Sequence, residues 1–280
     1  MKVIFFGSSR YVVPVLEFLN NMHTVLLVVT TEQGSLEPVK FYCHTKKINC
    51  ISVRKAGDLV ANYEIQRIKA DMGIVADFGI IIPEQIINSF PKGMANIHPS
   101  ILPKYRGPTP VQTAILNGDN ITGVSIILLD KLMDHGPILA QKEEAIEPFD
   151  TAKTLYEKLF KQGALLLSQV LEKYEHNNIT PKPQNETQAT FTKFLTKEDG
   201  YINLTSNDID RKIKAYFPWP GAWTKVKLSS TSGEKIVKLL PNNKVQVEGG
   251  KEMEYKDFIN GYLQADKLFL DYLRKGLDSD

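Results

Sequence analysis

The run TVLLVVTT at residues 24–31 constrains the fold more than any other segment. It carries no charge and is rich in β-branched side chains, so it suits a strand covered on both faces. Upstream, Val3 to Phe6 forms a short apolar run stopped by Gly7, and a helix-compatible stretch follows from Tyr11 to Asn20. Two such strands around one helix make a βαβ unit. The alternation continues with a helical stretch near 37–46, a brief strand near 51–53, a helix near 58–69 and the run MGIVADFG at 72–79. This cadence predicts an α/β fold with a doubly wound parallel sheet.

Active sites in such sheets lie beyond the carboxyl ends of the strands. GMANIHPS at 93–100 reads as the next strand end, with Pro99 and Pro103 forbidding a helix just after it. Asn96 and His98 are two apart on an extended chain and project from the same side. TPVQTAILNGD then supplies a helix ended by Gly118, and TGVSIILLD a further strand carrying Asp130 and, after a short turn, Asp134.

An imidazole two residues from a carboxamide, with a carboxylate from a neighbouring strand, supplies the functions that acyl transfer to an amine requires. His98 accepts or delivers the proton, Asn96 donates to the developing oxyanion, and Asp134 orients or charge-balances the imidazole. One oxyanion donor is worth about 3 to 4 kcal/mol and a general base roughly 3 to 5. Covalent catalysis has no support: there is no G-x-S-x-G elbow, and Cys43 and Cys50, seven apart, read as ordinary reduced thiols. The five histidines show no metal-ligand spacing, which argues against a metal. FFGSSR at 5–10 sits where a strand meets a helix, but one glycine there does not make the three-glycine fingerprint of a nicotinamide cofactor. Its backbone N–H groups suit at most an anion.

The helical pattern from Thr151 to Tyr174 closes the large domain, and HNNITPKPQNETQAT at 176–190 has the composition of an exposed connector. Beyond it a helix (SNDIDRKIKAYFPWP) and strand-like pieces (AWTKVKL, EKIVKLL, NKVQVEG) predict a small β-rich domain. The expected division is a catalytic domain at 1–176, a linker at 177–204 and a C-terminal domain at 205–280. With 42% hydrophobic and 24% charged residues among 280, the composition is that of a folded soluble protein. The apolar run at the N-terminus is too short for a signal peptide and no stretch approaches a membrane span, so the expected compartment is the cytoplasm.

NIHPSILPKYRGPTPVQTAILNGDNITGV followed by DKLMDHGPIL resembles the formyltransferases that use 10-formyltetrahydrofolate. In that family an Asn-x-His pair precedes a Ser-Leu-Leu-Pro-like turn and an Arg-Gly, with an Asp in a loop about 35 residues on. The counterparts are Asn96, His98, Ser100 to Pro103 (Ile101 for the usual Leu), Arg106, Gly107 and Asp134. The resemblance implies a Rossmann-like formyltransferase domain with an OB-like C-terminal domain. It implies direct attack of an amine on the formyl carbon of 10-formyltetrahydrofolate, with no metal. It places the pterin among Phe78, Gly79, Ile80 and Ile81, the turn Ser100, Ile101, Leu102 and Pro103, and the loop that begins at Asp130. Arg106 and Gly107 would serve substrate binding.

FLTKEDGYINL and AYFPWPGAWT look like the junction and second domain of the methionyl-tRNA formyltransferases, which implies initiator methionyl-tRNA as the partner; no membrane association is expected and no protein partner is inferred. Two features depart from that pattern. The segment TTEQGSLEPVK at 30–40 is short and carries two glutamates where a basic, glycine-rich loop is usual. From Thr205 onward thirteen Lys and Arg face eleven Asp and Glu, too even a balance for a dense phosphate-binding patch. The same catalytic trio also serves an enzyme that formylates the amine of a nucleotide-linked sugar, or a hydrolase that releases formate from the folate.

Overall fold

The computed structural model describes residues 1–32, 37–176, 178–228 and 233–277. Residues 33–36 of the 30–40 segment singled out above therefore lie outside the described residues. Contacts divide the chain into two units: Met1–Pro110, Ile121–Ala145 and Tyr156–Lys193 form the first, and Val111–Asn120, Ile146–Leu155 and Phe194–Asp280 the second.

In chain order the elements through the first half are β1 (Lys2–Gly7), α1 (Val13–Met22), β2 (Thr24–Thr31), α2 (Glu37–Lys46), β3 (Cys50–Val53), α3 (Ala56–Ala61), α4 (Tyr63–Arg67), β4 (Met72–Ala76), α5 (Glu84–Ile87) and β5 (Met94–His98). They are followed by α6 (Pro110–Asn117), β6 (Ile121–Leu128), β7 (Ile138–Ala145) and α7 (Ala152–Glu175). The seven strands form one sheet in the order β3-β2-β1-β4-β5-β6-β7. β1 to β5 are parallel, and the order reverses after β1 as a doubly wound sheet requires. Every residue of β4 is buried, as expected of a strand covered on both faces. On one face Phe6 meets Phe78 and Phe90 edge-on, with ring centroids 5.6 and 6.3 Å apart. These rings join Leu27, Val29, Ile86 and Met94 in the core.

Three features differ from the sequence expectation. The single helix read over 58–69 is two short ones, α3 and α4, because Asn62 caps the second through bonds from Glu64 and Ile65 N–H groups. β6 pairs antiparallel with β5, and an edge strand, β7, returns antiparallel beside it. Nine residues join β6 to β7, enough for a hairpin and too few for the crossover that parallel pairing demands. β7 is half polar and lies at the edge, so its pattern carries no strong apolar signal. The fold is an α/β sheet with a parallel body and an antiparallel margin.

The second unit contains α8 (Ile209–Ala215) and the strands β8 (Ala222–Lys227), β9 (Glu234–Leu240), β10 (Lys244–Val247) and β11 (Glu252–Glu254). Two further helices, α9 (Tyr255–Gly261) and α10 (Lys267–Leu277), complete it. The strands form an antiparallel meander in the order β11-β10-β9-β8, the small β domain expected. Alternate residues Ala222, Thr224 and Val226 of β8 are buried while Lys225 and Lys227 are exposed. Phe258 and Phe269, in edge-on contact at 5.3 Å, fill the core with Val237, Val245 and Leu273. α9 and α10 were not anticipated from the sequence: α9 is only two turns, whereas α10 does carry a helical pattern, burying Phe269, Leu270 and Leu273 on one face and keeping Asp271 and Arg274 off it. Among the described residues no helix is long and apolar enough to cross a membrane.

Candidate active site

β5 presents Asn96 and His98 on one side, as the alternation of an extended strand requires. The carboxylate that meets them arrives by an indirect route. Because β6 is antiparallel, its carboxyl end pairs with Ala95 and not with His98, so the loop from 129 to 137 must turn back toward β5. Gly136 allows that return: a Cβ there would stand 1.7 Å from the Leu128 carbonyl oxygen. Asp134 itself lies in the left-handed region, with φ of 49°.

The three groups converge. Asn96 Nδ2 donates to Asp134 Oδ1 at 3.2 Å, and His98 Nδ1 lies 3.5 Å from Asp134 Oδ2. The Gly107 N–H donates to the same Oδ2 at 2.8 Å. His98 is buried, and its Nε2 stands 2.9 Å from the Tyr105 carbonyl oxygen. A carbonyl only accepts, so Nε2 carries a hydrogen and the neutral ring is left with a basic Nδ1 facing Asp134. Tyr105 also has positive φ, 63°, so a strained residue aims the carbonyl that sets the tautomer. Asn96 is only half buried and keeps its second amide hydrogen for another acceptor.

The remaining candidate residues fall into different environments. Phe78 is buried in the core, with its carbonyl held by the Ser8 hydroxyl at 3.1 Å, so its side chain contributes to packing. Gly79 is exposed at φ 75° with open space where a Cβ would stand; Ile80 is half buried, and Ile81 is 71% exposed. In the following turn, Ser100 and Leu102 are buried while Ile101 and Pro103 are half buried. The polar groups of that turn serve the protein itself. Ser100 Oγ donates to the Lys104 carbonyl at 2.7 Å, Leu102 N–H donates to Ser125 Oγ at 3.0 Å, and Gln141 Nε2 donates to the Leu102 carbonyl at 2.8 Å. The turn thus offers shape and apolar surface. Asp130 accepts from the Leu132 N–H at 2.8 Å and lies 2.5 Å from His135 Nδ1.

Arg106 departs furthest from the sequence expectation. Its side chain is 2% exposed, and its guanidinium is consumed by residues of the segment read as a connector. Nε and Nη2 donate to Gln184 Oε1 at 3.0 and 2.8 Å; Nη1 and Nη2 donate to the two oxygens of Glu186 at 2.9 and 2.7 Å. The guanidinium holds the Glu186 carboxyl below the usual glutamate range. The backbone is fastened too: Arg106 N–H donates to the Thr190 carbonyl at 2.9 Å, and Thr192 N–H to the Arg106 carbonyl at 2.8 Å. Residues 182–193 are therefore a strap belonging to the first unit. Gln184, Glu186 and Tyr105 had no signal in the sequence beyond a polar, proline-containing stretch. Among the described residues no group of three or more His, Cys, Asp or Glu is placed to hold a metal ion.

Comparison with known proteins fits this geometry. Residues 1–171 match the model of the formyl transferase family. The chain belongs to that family. Among relatives of the formyl transferase, the methionyl-tRNA formyltransferase of Chloroflexus aurantiacus is 40% identical, covering 80% of this chain and 76% of that protein. The methionyl-tRNA formyltransferase of Koribacter versatilis is 33% identical, covering 96% of this chain and 98% of that one. Solved structures share the fold. A 4-N formyltransferase from Francisella tularensis superposes with a TM-score of 0.68 at 18% identity, over 86% of this chain and 98% of that one. A Helicobacter canadensis N-formyltransferase in complex with folinic acid and dTDP-3-aminofucose gives 0.62 at 20% identity, over 88% and 95%.

Proposed function

We propose that the protein transfers the formyl group of 10-formyltetrahydrofolate to the amino group of initiator methionyl-tRNA. Full-length relatives of that name support the acceptor, since one of them matches 96% of this chain and 98% of its own. The observation that carries the chemistry is the convergence of Asn96, His98 and Asp134. The folate supplies an activated formyl carbon and a nitrogen leaving group. Asn96 donates its second amide hydrogen to the oxygen that gains charge on attack. His98 takes the proton from the attacking amine at Nδ1 and returns it to the departing nitrogen, with Nε2 held by Tyr105. Asp134 keeps the amide and the ring in register and balances the imidazolium.

The loop at 78–81 and the turn at 100–103 fit a flat heterocycle. Ile80 and Ile81 leave apolar surface beside Gly79, whose missing side chain leaves the backbone open, and the turn is rigidified by its own hydrogen bonds. In this reading residues 1–176 together with the strap at 182–193 form the catalytic part, with Arg106 and Gly107 framing its substrate side, and 205–280 form a tRNA-facing domain. The enzyme acts in the cytoplasm, where translation occurs.

The test is to incubate the protein with 10-formyltetrahydrofolate and, separately, methionyl-tRNA, an amino-sugar nucleotide and buffer alone. Formyl transfer to the tRNA amine is the expected result. Transfer only to the sugar, or formate release in buffer at the same rate as with tRNA, would overturn the assignment.

A further inference from the structure

We propose that Gln184 is a positioning residue for this reaction, holding Asp134 in place from the strap; the inference rests on the function argued above. Its side-chain amide has two donors and two acceptor positions, and all four are used. Oε1 accepts from Arg106 Nε and Nη2 at 3.0 and 2.8 Å, while Nε2 donates to the carbonyls of Asp134 and Gly136, both at 2.8 Å. A guanidinium only donates and a carbonyl only accepts, so the partners fix which end of the amide faces which. No other side chain of this length offers two donors and two acceptors from one flat group.

The amide links the two segments on which Asp134 depends, reaching one through its backbone carbonyls and the other through the Arg106 side chain. One is the loop of Asp134 itself, in a left-handed conformation that a non-glycine residue keeps only when its surroundings enforce it. The other is the Arg106–Gly107 turn, whose Gly107 N–H grips the Asp134 carboxylate at 2.8 Å. Gln184 therefore sets the origin of the Asp134 side chain relative to one of its hydrogen-bond donors, the Gly107 N–H. All its polar positions are engaged by Arg106 and the two carbonyls, so it acts through Asp134 and not on the substrate. Glu186, on the same strap, grips the other side of the guanidinium with both oxygens and keeps Arg106 fixed when Gln184 is changed.

The experiment separates the two ends of the amide. Gln184→Glu keeps the acceptors for Arg106 and removes the donors to the two carbonyls; Gln184→Met removes both. Steady-state formyl transfer from 10-formyltetrahydrofolate to methionyl-tRNA is measured for the full chain and both variants, with melting temperatures. His98→Ala and the exposed strap variant Gln188→Ala run in parallel. Both Gln184 variants should lose about 10- to 100-fold in kcat, because a small displacement of a catalytic group costs on that order. KM for the donor should stay within about threefold, since no binding contact is lost. Gln188→Ala should behave as wild type.

Wild-type kcat in Gln184→Glu and Gln184→Met, with His98→Ala inactive, would overturn the positioning role and leave the function standing. So would a rise in KM at unchanged kcat. If His98→Ala turns over like wild type, the functional reading itself fails, and this inference with it.

Discussion

Replacing Asp134 by Asn tests the array with almost no change in shape. In the wild type two donors hold the carboxylate, Asn96 Nδ2 at 3.2 Å from Oδ1 and the Gly107 N–H at 2.8 Å from Oδ2, and the basic Nδ1 of His98 stands 3.5 Å from Oδ2. An amide has one acceptor atom where the carboxylate has two. If its oxygen stays with Gly107, its NH2 group confronts the NH2 group of Asn96, and Asn96 relieves the clash only by turning its own oxygen inward. That rotation withdraws the hydrogen assigned to the reacting oxyanion, a loss worth about 10²- to 10³-fold. If the amide turns the other way, its NH2 faces the Gly107 N–H, and a charge-assisted bond worth roughly 1.5 to 3 kcal/mol is lost. In either orientation His98 loses the counter-charge for its protonated form, and general acid–base help is typically worth about 10²- to 10⁴-fold. These effects act as a unit and do not add. The expected drop in kcat is therefore about 10³-fold, on the order of 4 kcal/mol in the barrier. Single-turnover formyl transfer to methionyl-tRNA at saturating donor, with circular dichroism to confirm the fold, measures it. Turnover within tenfold of wild type in a folded Asp134→Asn protein would refute the reasoning.

Three further outcomes follow from the geometry. Gly107→Ala forces a side chain into φ 113° and places its Cβ 2.7 Å from Thr192 Oγ1 and 3.0 Å from the Thr192 carbonyl oxygen, so thermal melting should drop by several degrees and turnover with it; Thr192→Ala should restore only part, because the backbone contact remains. Arg106 holds the Glu186 carboxyl below its usual range, so the folded state binds that proton less readily than the unfolded chain. The stabilisation is present in full above the ordinary glutamate value of about 4.3 and is lost as pH falls below it, so melting curves of wild type and Glu186→Gln should differ at neutral pH and converge in acid. A hydrogen bond from the Cys43 thiol draws the Cys50 thiol below its ordinary range, with Lys40 adding to the effect against burial, while the same bond and burial push Cys43 up. Iodoacetamide should therefore label Cys50 before Cys43, and Cys43→Ala, which removes the donor, should slow labelling at Cys50 while leaving formyl transfer unchanged; equal labelling of the two in mapped peptides would contradict this.

What the sequence reveals here depends on how far apart the interacting residues lie along the chain. Asn96 and His98 could be placed together because a strand puts residues two apart on one side, a rule that needs no tertiary information. The parallel body of the sheet was legible for the same reason: uninterrupted apolar runs such as β2 and β4 announce burial on both faces. Strand direction is another matter, since buried β6 has the same apolar character whichever way it runs. The nine-residue connection makes β6 and β7 antiparallel to each other, but the long connection from β5 through α6 allows β6 to run either way, so the sequence leaves its direction against β5 open. Phe78 shows the same limit on a smaller scale, a residue of a candidate binding loop whose ring turns into the core against Phe6.

The strap is the clearest case. Gln184 meets Arg106 across 78 residues of sequence and Asp134 across 50, and a polar contact over that span leaves no periodicity to read. Its composition, PKPQNETQAT, is that of a surface connector, because nearly all of its side chains do face solvent. Gln184 and the carboxylate of Glu186 meet a buried guanidinium, and a buried cation without an anionic partner costs several kcal/mol. Once the fold buries Arg106, an acidic residue has to come to it, and that residue is Glu186. That requirement links the strap to catalysis. The chain segment that must arrive to neutralise Arg106 carries Gln184 with it, so burying the charge and seating Asp134 are accomplished by the same ten residues.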